Sequence, residues 1–113
     1  MESKLYSFIG LAKKSGNLVS GEDACRRAIK SGKVFLVVVA EDASENTKKE
    51  FTNACRYRGI DICLFGKKEL LGRHIGKSVR AVVGILDRGF AESLKQKIFR
   101  HNKEHGGGQI GQS

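Results

Sequence analysis

Residues 34–40 read Val-Phe-Leu-Val-Val-Val-Ala, an unbroken apolar run rich in β-branched side chains. A run of this kind is typical of a strand that other elements cover on both faces. The sequence on either side of it carries helical periodicity and shorter apolar segments. The run therefore predicts the central strand of a sheet in an α/β protein.

Helical spacing of apolar residues recurs through the rest of the chain. The first three predicted helices cover about residues 3–15, the stretch from Gly21 to Gly32, and the stretch from an N-cap at Ser44 to Gly59. A short fourth helix is predicted through Leu70, Leu71 and Ile75. A fifth is predicted through Phe90, Ala91, Leu94 and Ile98. Shorter strands are predicted at 18–20, 60–64 and 81–86. The alternation implies a largely parallel or mixed sheet of about four short strands between helical layers.

The length of 113 residues suits a single domain, which we expect over residues 1–100. From residue 101 the helical pattern ends, and the sequence continues with two histidines and a run of glycines at 106–108. Such a segment has too little apolar surface to order itself. We therefore expect residues 101–113 to form a flexible, Gly-rich tail.

Charge is the strongest compositional signal, because 21 Lys and Arg against 12 Asp and Glu give a net charge of +9. This excess favours nucleic acid as a partner. A membrane surface is the competing polyanion, but the chain has no Trp and no segment of the kind that lies in a membrane interface. The absence of a secretory signal and of any Cys-x-x-Cys motif predicts a cytoplasmic protein whose three cysteines are small buried side chains.

Enzyme sites are poorly supported by the motifs. Residues 72–78 resemble a P-loop, but only three residues separate Gly72 from Gly76, and the segment follows a helix instead of a strand. No dinucleotide fingerprint follows any strand, and acids such as Glu41 and Asp42 at a strand end commonly cap turns. His101 and His105 have no third metal ligand nearby in the sequence. We expect no catalytic residue, cofactor or metal.

The region around Gly21 is the best candidate site. A helix start offers unpaired amides, and a glycine there lets a phosphate backbone come close. Arg26 and Arg27 follow one turn later and are suited to contacting phosphates or guanine edges. An ordinary solvated helix face is the competing interpretation, and these residues alone leave both open.

Four segments together resemble the kink-turn-binding ribosomal protein L-seven-Ae family, most closely its small bacterial YlxQ-like branch. They are Gly-Leu-Ala-Lys-Lys-Ser-Gly at 10–16, the Ser-Gly-Glu turn at 20–22, Val-Val-Ala-Glu-Asp-Ala-Ser-Glu-Asn-Thr at 38–47, and the segment 71–77. The resemblance covers about residues 5–90. It implies a three-layer α-β-α sandwich whose second helix enters the widened major groove of a sharply bent RNA, beside sheared G·A pairs.

The resemblance also implies roles for individual residues. Asp23 stands where the family usually has asparagine and Ala24 where it has glutamate, so Asp23 can only accept hydrogen bonds, from guanine N1 and N2. In the segment 78–81, Val79 would pack on an unstacked nucleotide and Arg80 would contact a phosphate. The predicted RNA-binding residues are Gly21, Glu22, Asp23, Ala24, Arg26, Arg27, Lys30, Ser78, Val79 and Arg80.

These features predict an RNA-binding protein, not an enzyme, that recognises kink-turn RNA. The expected partners are structured RNA, ribosomal RNA or the ribosome, and the expected state is a monomer without membrane association. Two alternatives remain open from the sequence. The same fold serves as a protein-interaction module, and it occurs as an accessory domain of enzymes that modify ribosomal RNA.

Overall fold

Helices and short strands alternate along residues 2–105, the part of the chain that this computed structural model describes. The elements are α1 (Glu2–Lys14), β1 (Leu18–Ser20), α2 (Glu22–Lys30), β2 (Leu36–Val39), α3 (Glu45–Arg58), β3 (Asp61–Leu64), α4 (Lys68–His74), β4 (Val82–Ile85) and α5 (Arg88–His105). None of these helices is long and apolar enough to cross a membrane.

The sheet has the order β1-β4-β2-β3 and is mixed. Strand β2 pairs parallel with β3 and antiparallel with β4, so that Leu36 lies between Asp61 and Ile85. All four residues of β2 are buried. The apolar run at 34–40 therefore forms an internal strand, as its composition predicts, although the ladder itself is confined to Leu36–Val39.

Helical layers cover both faces of the sheet. Helices α2 and α3 pack on one face, whereas α1 and α5 pack together on the other with α4 beside α1. The largest fully buried side chains come from both layers and from the sheet; they include Ile9, Leu36, Phe51, Phe65, Leu71, Leu94 and Ile98. This arrangement confirms the predicted α-β-α sandwich with a mixed sheet of four strands.

The ends of α3 show how local sequence signals set the helix bounds. Ser44 Oγ accepts a hydrogen bond from the backbone amide of Thr47 at 3.1 Å, which satisfies one of the free amides of the first turn. Gly59 ends the helix with a φ of 68°, a left-handed conformation that glycine adopts without strain. Both residues occupy the positions that the sequence predicts for them.

The last helix is longer than the sequence predicts. It continues to His105, five residues past the expected end of the domain at residue 100, so a tail starting at residue 101 is wrong for 101–105. Asn102 is buried, and its side-chain amide donates to the carbonyl oxygen of Leu64 at 3.0 Å. This contact holds the polar end of α5 against β3. The glycine run at 106–108 lies outside the described residues.

The three cysteines are buried, as predicted, and form no disulfide with one another. Desolvation raises the pKa of the Cys25 thiol and that of the Cys55 thiol to about 12. A thiol with such a pKa stays protonated at neutral pH and is a poor nucleophile. These cysteines therefore act as core side chains.

Candidate nucleic-acid interface

The candidate interface lies at the end of the sheet where β1 and β2 finish and β4 begins. The backbone amide of Gly21 donates to the carbonyl oxygen of Val82 at 2.9 Å, and that of Ala40 donates to Ala81 at 2.8 Å. These bonds bring the start of α2 beside the segment that precedes β4. An open groove of about 550 Å³ runs between them, which we call the α2 groove; its lining residues are Gly21, Glu22, Asp23, Arg26, Lys68, Val79, Arg80 and Ala81.

Gly21 has a backbone conformation that other residues rarely adopt, with φ 92° and ψ 155°. It has no side chain to cap α2, so it leaves the amides of Glu22, Asp23 and Ala24 uncapped from that position. A Cβ at this residue would lie 3.8 Å from Nε of Arg80. A side chain at this position would therefore only touch Arg80, and the positive φ is the reason why glycine is favoured here.

Arg80 is held in place by contacts on both sides of the groove. Its backbone amide donates to the carbonyl oxygen of Lys68 at 3.0 Å. Its Nε donates to Ser20 Oγ at 3.2 Å, and one terminal nitrogen donates to the carbonyl oxygen of Val79 at 2.8 Å. A guanidinium has five N–H donors, so it keeps donors for an anion after these bonds.

Val79 stands at the tip of the loop between α4 and β4 and is 47% exposed. The loop folds back closely on α4, because a Cβ built at Gly72 would lie 2.2 Å from the carbonyl oxygen of Ser78. Only glycine permits this approach. Gly72 therefore determines where the loop presents Val79 at the groove.

Arg26 is engaged by three carboxylates, two on its own helix and one on α3. It pairs with Glu22 at 3.1 Å, with Asp23 at 2.7 Å and with Glu50 of α3. The hydrogen bond from Arg26 holds the pKa of the Glu50 carboxyl below its ordinary value. Thr47 Oγ1 donates to the other oxygen of Glu22 at 3.2 Å. In this geometry Arg26 and Thr47 fix the carboxylates at the edge of the groove.

The structure brings only part of the predicted set together. Those that line the groove are Gly21, Glu22, Asp23, Arg26, Val79 and Arg80. Ala24 is half-buried, whereas Arg27 and Lys30 are exposed further along α2 and do not line the groove, and neither does Ser78. Lys68 also lines the groove, and the sequence did not identify it because it lies far along the chain from the start of α2. Its backbone amide donates to Asp42 Oδ1 at 2.9 Å.

The segment that resembles a P-loop occupies the end of α4 and the loop that follows it. Lys77 donates its backbone amide to the carbonyl oxygen of Gly72 at 2.8 Å, which closes the helix. This is the helix end that the sequence predicts at these residues. Within residues 2–105, no group of three or more His, Cys, Asp and Glu side chains is arranged to hold a metal ion.

The sequence and the fold place the chain in a known class of protein. The model of the ribosomal protein L7Ae/L30e/S12e/Gadd45 family matches residues 3–95, and the chain belongs to that family. Within it, the chain is 39% identical over 89 residues to the RNA-binding protein YlxQ of Bacillus subtilis (strain 168), which covers 79% of this chain and 89% of that protein. It is 41% identical over 96 residues to YlxQ of Enterococcus faecium, with coverage of 84% and 91%.

Solved structures agree with this assignment. A protein of unknown function from Bacillus halodurans has a TM-score of 0.81 and 36% identity, and the match covers 85% of this chain and 97% of that one. The Giardia lamblia 15.5kD RNA binding protein has a TM-score of 0.71 at 21% identity, and the match covers 85% of both chains. This second match shows that the two proteins share a fold. The family and the YlxQ-like branch that the sequence resembles are confirmed. The names of the two YlxQ relatives describe RNA-binding proteins and not enzymes.

Proposed function

We propose that this protein binds RNA and recognises the kink turn, a sharp bend flanked by sheared G·A pairs. The observation that carries the proposal is that the α2 groove sets an uncapped helix start opposite Val79 and Arg80. RNA with splayed bases presents to such a groove an unstacked nucleotide, exposed base edges and a phosphate backbone. The YlxQ relatives, named as RNA-binding proteins, support RNA as the partner.

Each side of the groove has a distinct part in this proposal. The amides at the start of α2 bind phosphate or base oxygens. Asp23 pairs with Arg26 through Oδ1, which leaves Oδ2 to accept from guanine N1 and N2. Arg80, held by Ser20 and Val79, donates to a phosphate, and the exposed Val79 side chain packs on the unstacked nucleotide.

The proposal includes a cytoplasmic monomer that acts without catalysis, bound to ribosomal or another structured RNA. As a protein-interaction module, the chain would not require RNA with a bend. As an accessory domain of an enzyme that modifies ribosomal RNA, it would act beside a separate cofactor-binding domain. The first alternative does not predict that this chain distinguishes a kinked duplex from a straight one, and the second predicts that its activity depends on that separate domain.

The test compares two RNA hairpins that differ only in the tandem G·A pairs, replaced by Watson–Crick pairs in the second. We expect at least a tenfold lower affinity for the second hairpin, measured by fluorescence anisotropy in one fixed salt concentration, because affinity for RNA depends on salt. Equal affinity for both would remove kink recognition from the proposal. If the protein bound neither hairpin, structured RNA would be excluded as its proposed partner.

Two variants locate the contact. Arg80→Gln removes the charge at the groove, and Asp23→Ala removes the proposed acceptor for guanine. Arg100→Gln is the control, because it removes the same charge from an exposed residue on α5 that lies outside the groove lining. We expect the first two to weaken kink-turn binding by about tenfold, in the range of one lost specific contact, and the control to leave it within twofold.

A further inference from the structure

The opposite end of the sheet brings two helix ends and two turns together. Helix α2 ends at Lys30 and leads into β2, and α3 ends at Arg58 and leads into β3. Strands β2 and β3 are parallel neighbours, with Leu36 paired to Asp61. Neighbouring strands lie about 4.8 Å apart, so the chain segments that enter them are side by side. This end is remote from the α2 groove, which lies at the finish of β2.

Two exposed aromatic rings stand at this end, each beside an arginine. Tyr57 is 87% exposed, with Cζ of Arg58 5.9 Å from the centre of its ring. Phe35 is 38% exposed, with Cζ of Arg88 4.9 Å from its ring. We call the surface formed by Lys30, Lys33, Phe35, Tyr57, Arg58 and Arg88 the basic pole.

The cations of the basic pole form no ion pair within residues 2–105. Of the nearby carboxylates, Asp61 pairs with Lys95 at 2.8 Å, whereas Asp87 accepts from the backbone amide of Phe90 at 2.8 Å and keeps its charge beside Arg88. The surface therefore has an excess of positive charge beside two rings, because the four cations Lys30, Lys33, Arg58 and Arg88 outnumber the single unpaired carboxylate of Asp87.

Helix stabilisation accounts for only part of this arrangement. Cations near a helix C-terminus interact favourably with the helix dipole, which suits Lys30 and Arg58. Arg88 is the first residue of α5, where a cation opposes the dipole, and Lys33 lies in the turn between α2 and β2. Folding does not account for the exposure of the Tyr57 ring either. These features fit binding better than stability.

We propose that the basic pole binds single-stranded RNA, separately from the α2 groove. The two rings stack on unpaired bases, and the lysines and arginines contact the phosphates between them. Exposed aromatic side chains within a positive surface are the general means by which proteins hold single strands without strict sequence preference. The inference rests on RNA as the proposed partner of this protein, but not on recognition of a kink.

The test measures the affinity of the intact chain for three labelled probes: a dodecamer of uridine, a kink-turn hairpin, and the same hairpin with a single-stranded tail of twelve uridines. Tyr57→Ala removes the most exposed ring and should not impair folding. We expect this variant to bind the dodecamer about tenfold more weakly, as loss of one base stack implies. It should also lose the added affinity that the tail gives the hairpin, and bind the plain hairpin within twofold of the unmodified chain.

Two control variants separate stacking from a general loss of apolar surface. Tyr57→Phe retains the ring and should retain binding of the dodecamer. Phe99→Ala removes a ring that is 50% exposed on α5. Phe99 lies far from the basic pole, because Asn102 in the next turn of α5 contacts Leu64 at the other end of the sheet. This second variant should bind all three probes normally.

Three results would overturn the proposal: no binding of the dodecamer by the unmodified chain, equal binding by the unmodified chain and Tyr57→Ala, or equal weakening by Tyr57→Ala and Phe99→Ala. If the unmodified chain did not bind the dodecamer, a protein would replace RNA as the proposed partner of this surface. The comparison of G·A and Watson–Crick hairpins decides kink recognition independently. Binding of the dodecamer that depends on Tyr57 would support the basic pole even if that recognition failed.

Discussion

Replacement of Gly72 by alanine tests whether close packing of the loop on α4 sets the geometry of the α2 groove. The new Cβ would lie 2.2 Å from the oxygen and 2.7 Å from the carbonyl carbon of Ser78, and 3.0 Å from the amide nitrogen of Val79. All three are backbone atoms, so no side-chain rotation relieves the clash. The loop must retreat from α4 by about 1 Å to restore ordinary contact distances.

The cost follows from two opposing effects. Overpacking at a close contact costs about 1–3 kcal/mol, and the better helix propensity of alanine offsets about 1 kcal/mol of it. A net loss of up to about 2 kcal/mol lowers the Tm of a domain of this size by up to roughly 10 °C. Displacement of Val79 should also weaken kink-turn binding by about tenfold, equivalent to about 1.4 kcal/mol.

Circular dichroism melts and anisotropy with the kink-turn hairpin measure the two effects. The matched control is Gly89→Ala near the start of α5, where the new Cβ meets only the flexible side chain of Asp87, at 3.2 Å. This control should be neutral or slightly more stable, and it should bind the hairpin normally. If Gly72→Ala matches the control in both Tm and affinity, the loop does not depend on this glycine and the reasoning is refuted.

Two further predictions concern ionisable groups away from any RNA contact. Because the hydrogen bond from Arg26 lowers the pKa of Glu50, the pair stabilises the fold fully above the ordinary Glu pKa of 4.5 and loses this effect as the pH falls through the lowered pKa. The Tm advantage of the unmodified protein over Glu50→Gln should therefore be present at pH 7 and shrink as the pH falls below 4.5, and a constant difference would exclude this linkage. With pKa values of about 12, buried Cys25 and Cys55 should react with a disulfide reagent at pH 8 only after unfolding, so rapid labelling of either thiol in the native protein would contradict the described core.

The sequence predicts the architecture well where the cause is local. The β-branched run at 34–40 predicts β2 because a strand covered on both faces needs apolar residues at every position. Ser44 and Gly59 mark the ends of α3 because capping acts between residues close in sequence. The central strand and these helix ends therefore follow from short segments without knowledge of the rest of the fold.

Contacts between distant segments explain what sequence reasoning did not foresee. The end of α5 is polar, and the bond from Asn102 to Leu64 spans 38 residues, so no periodicity predicts the extra turn. Arg26 was assigned to phosphate because its position one turn into α2 suits that role. Its partner Glu50 lies 24 residues away on another helix, and only the packing of α2 beside α3 brings the two together.

The two ends of the sheet differ in charge, and this difference separates two aspects of RNA binding. The lining of the α2 groove has three cations, Arg26, Lys68 and Arg80, against the carboxylates Glu22 and Asp23, so its excess of positive charge is small and its binding depends on specific contacts. The basic pole has cations without paired carboxylates and offers rings that accept any base. Contacts to phosphate strengthen binding without selecting sequence, whereas contacts to bases discriminate. If both surfaces bind RNA as proposed, added salt should weaken binding through the basic pole far more than it reduces the preference of the groove for a kinked duplex.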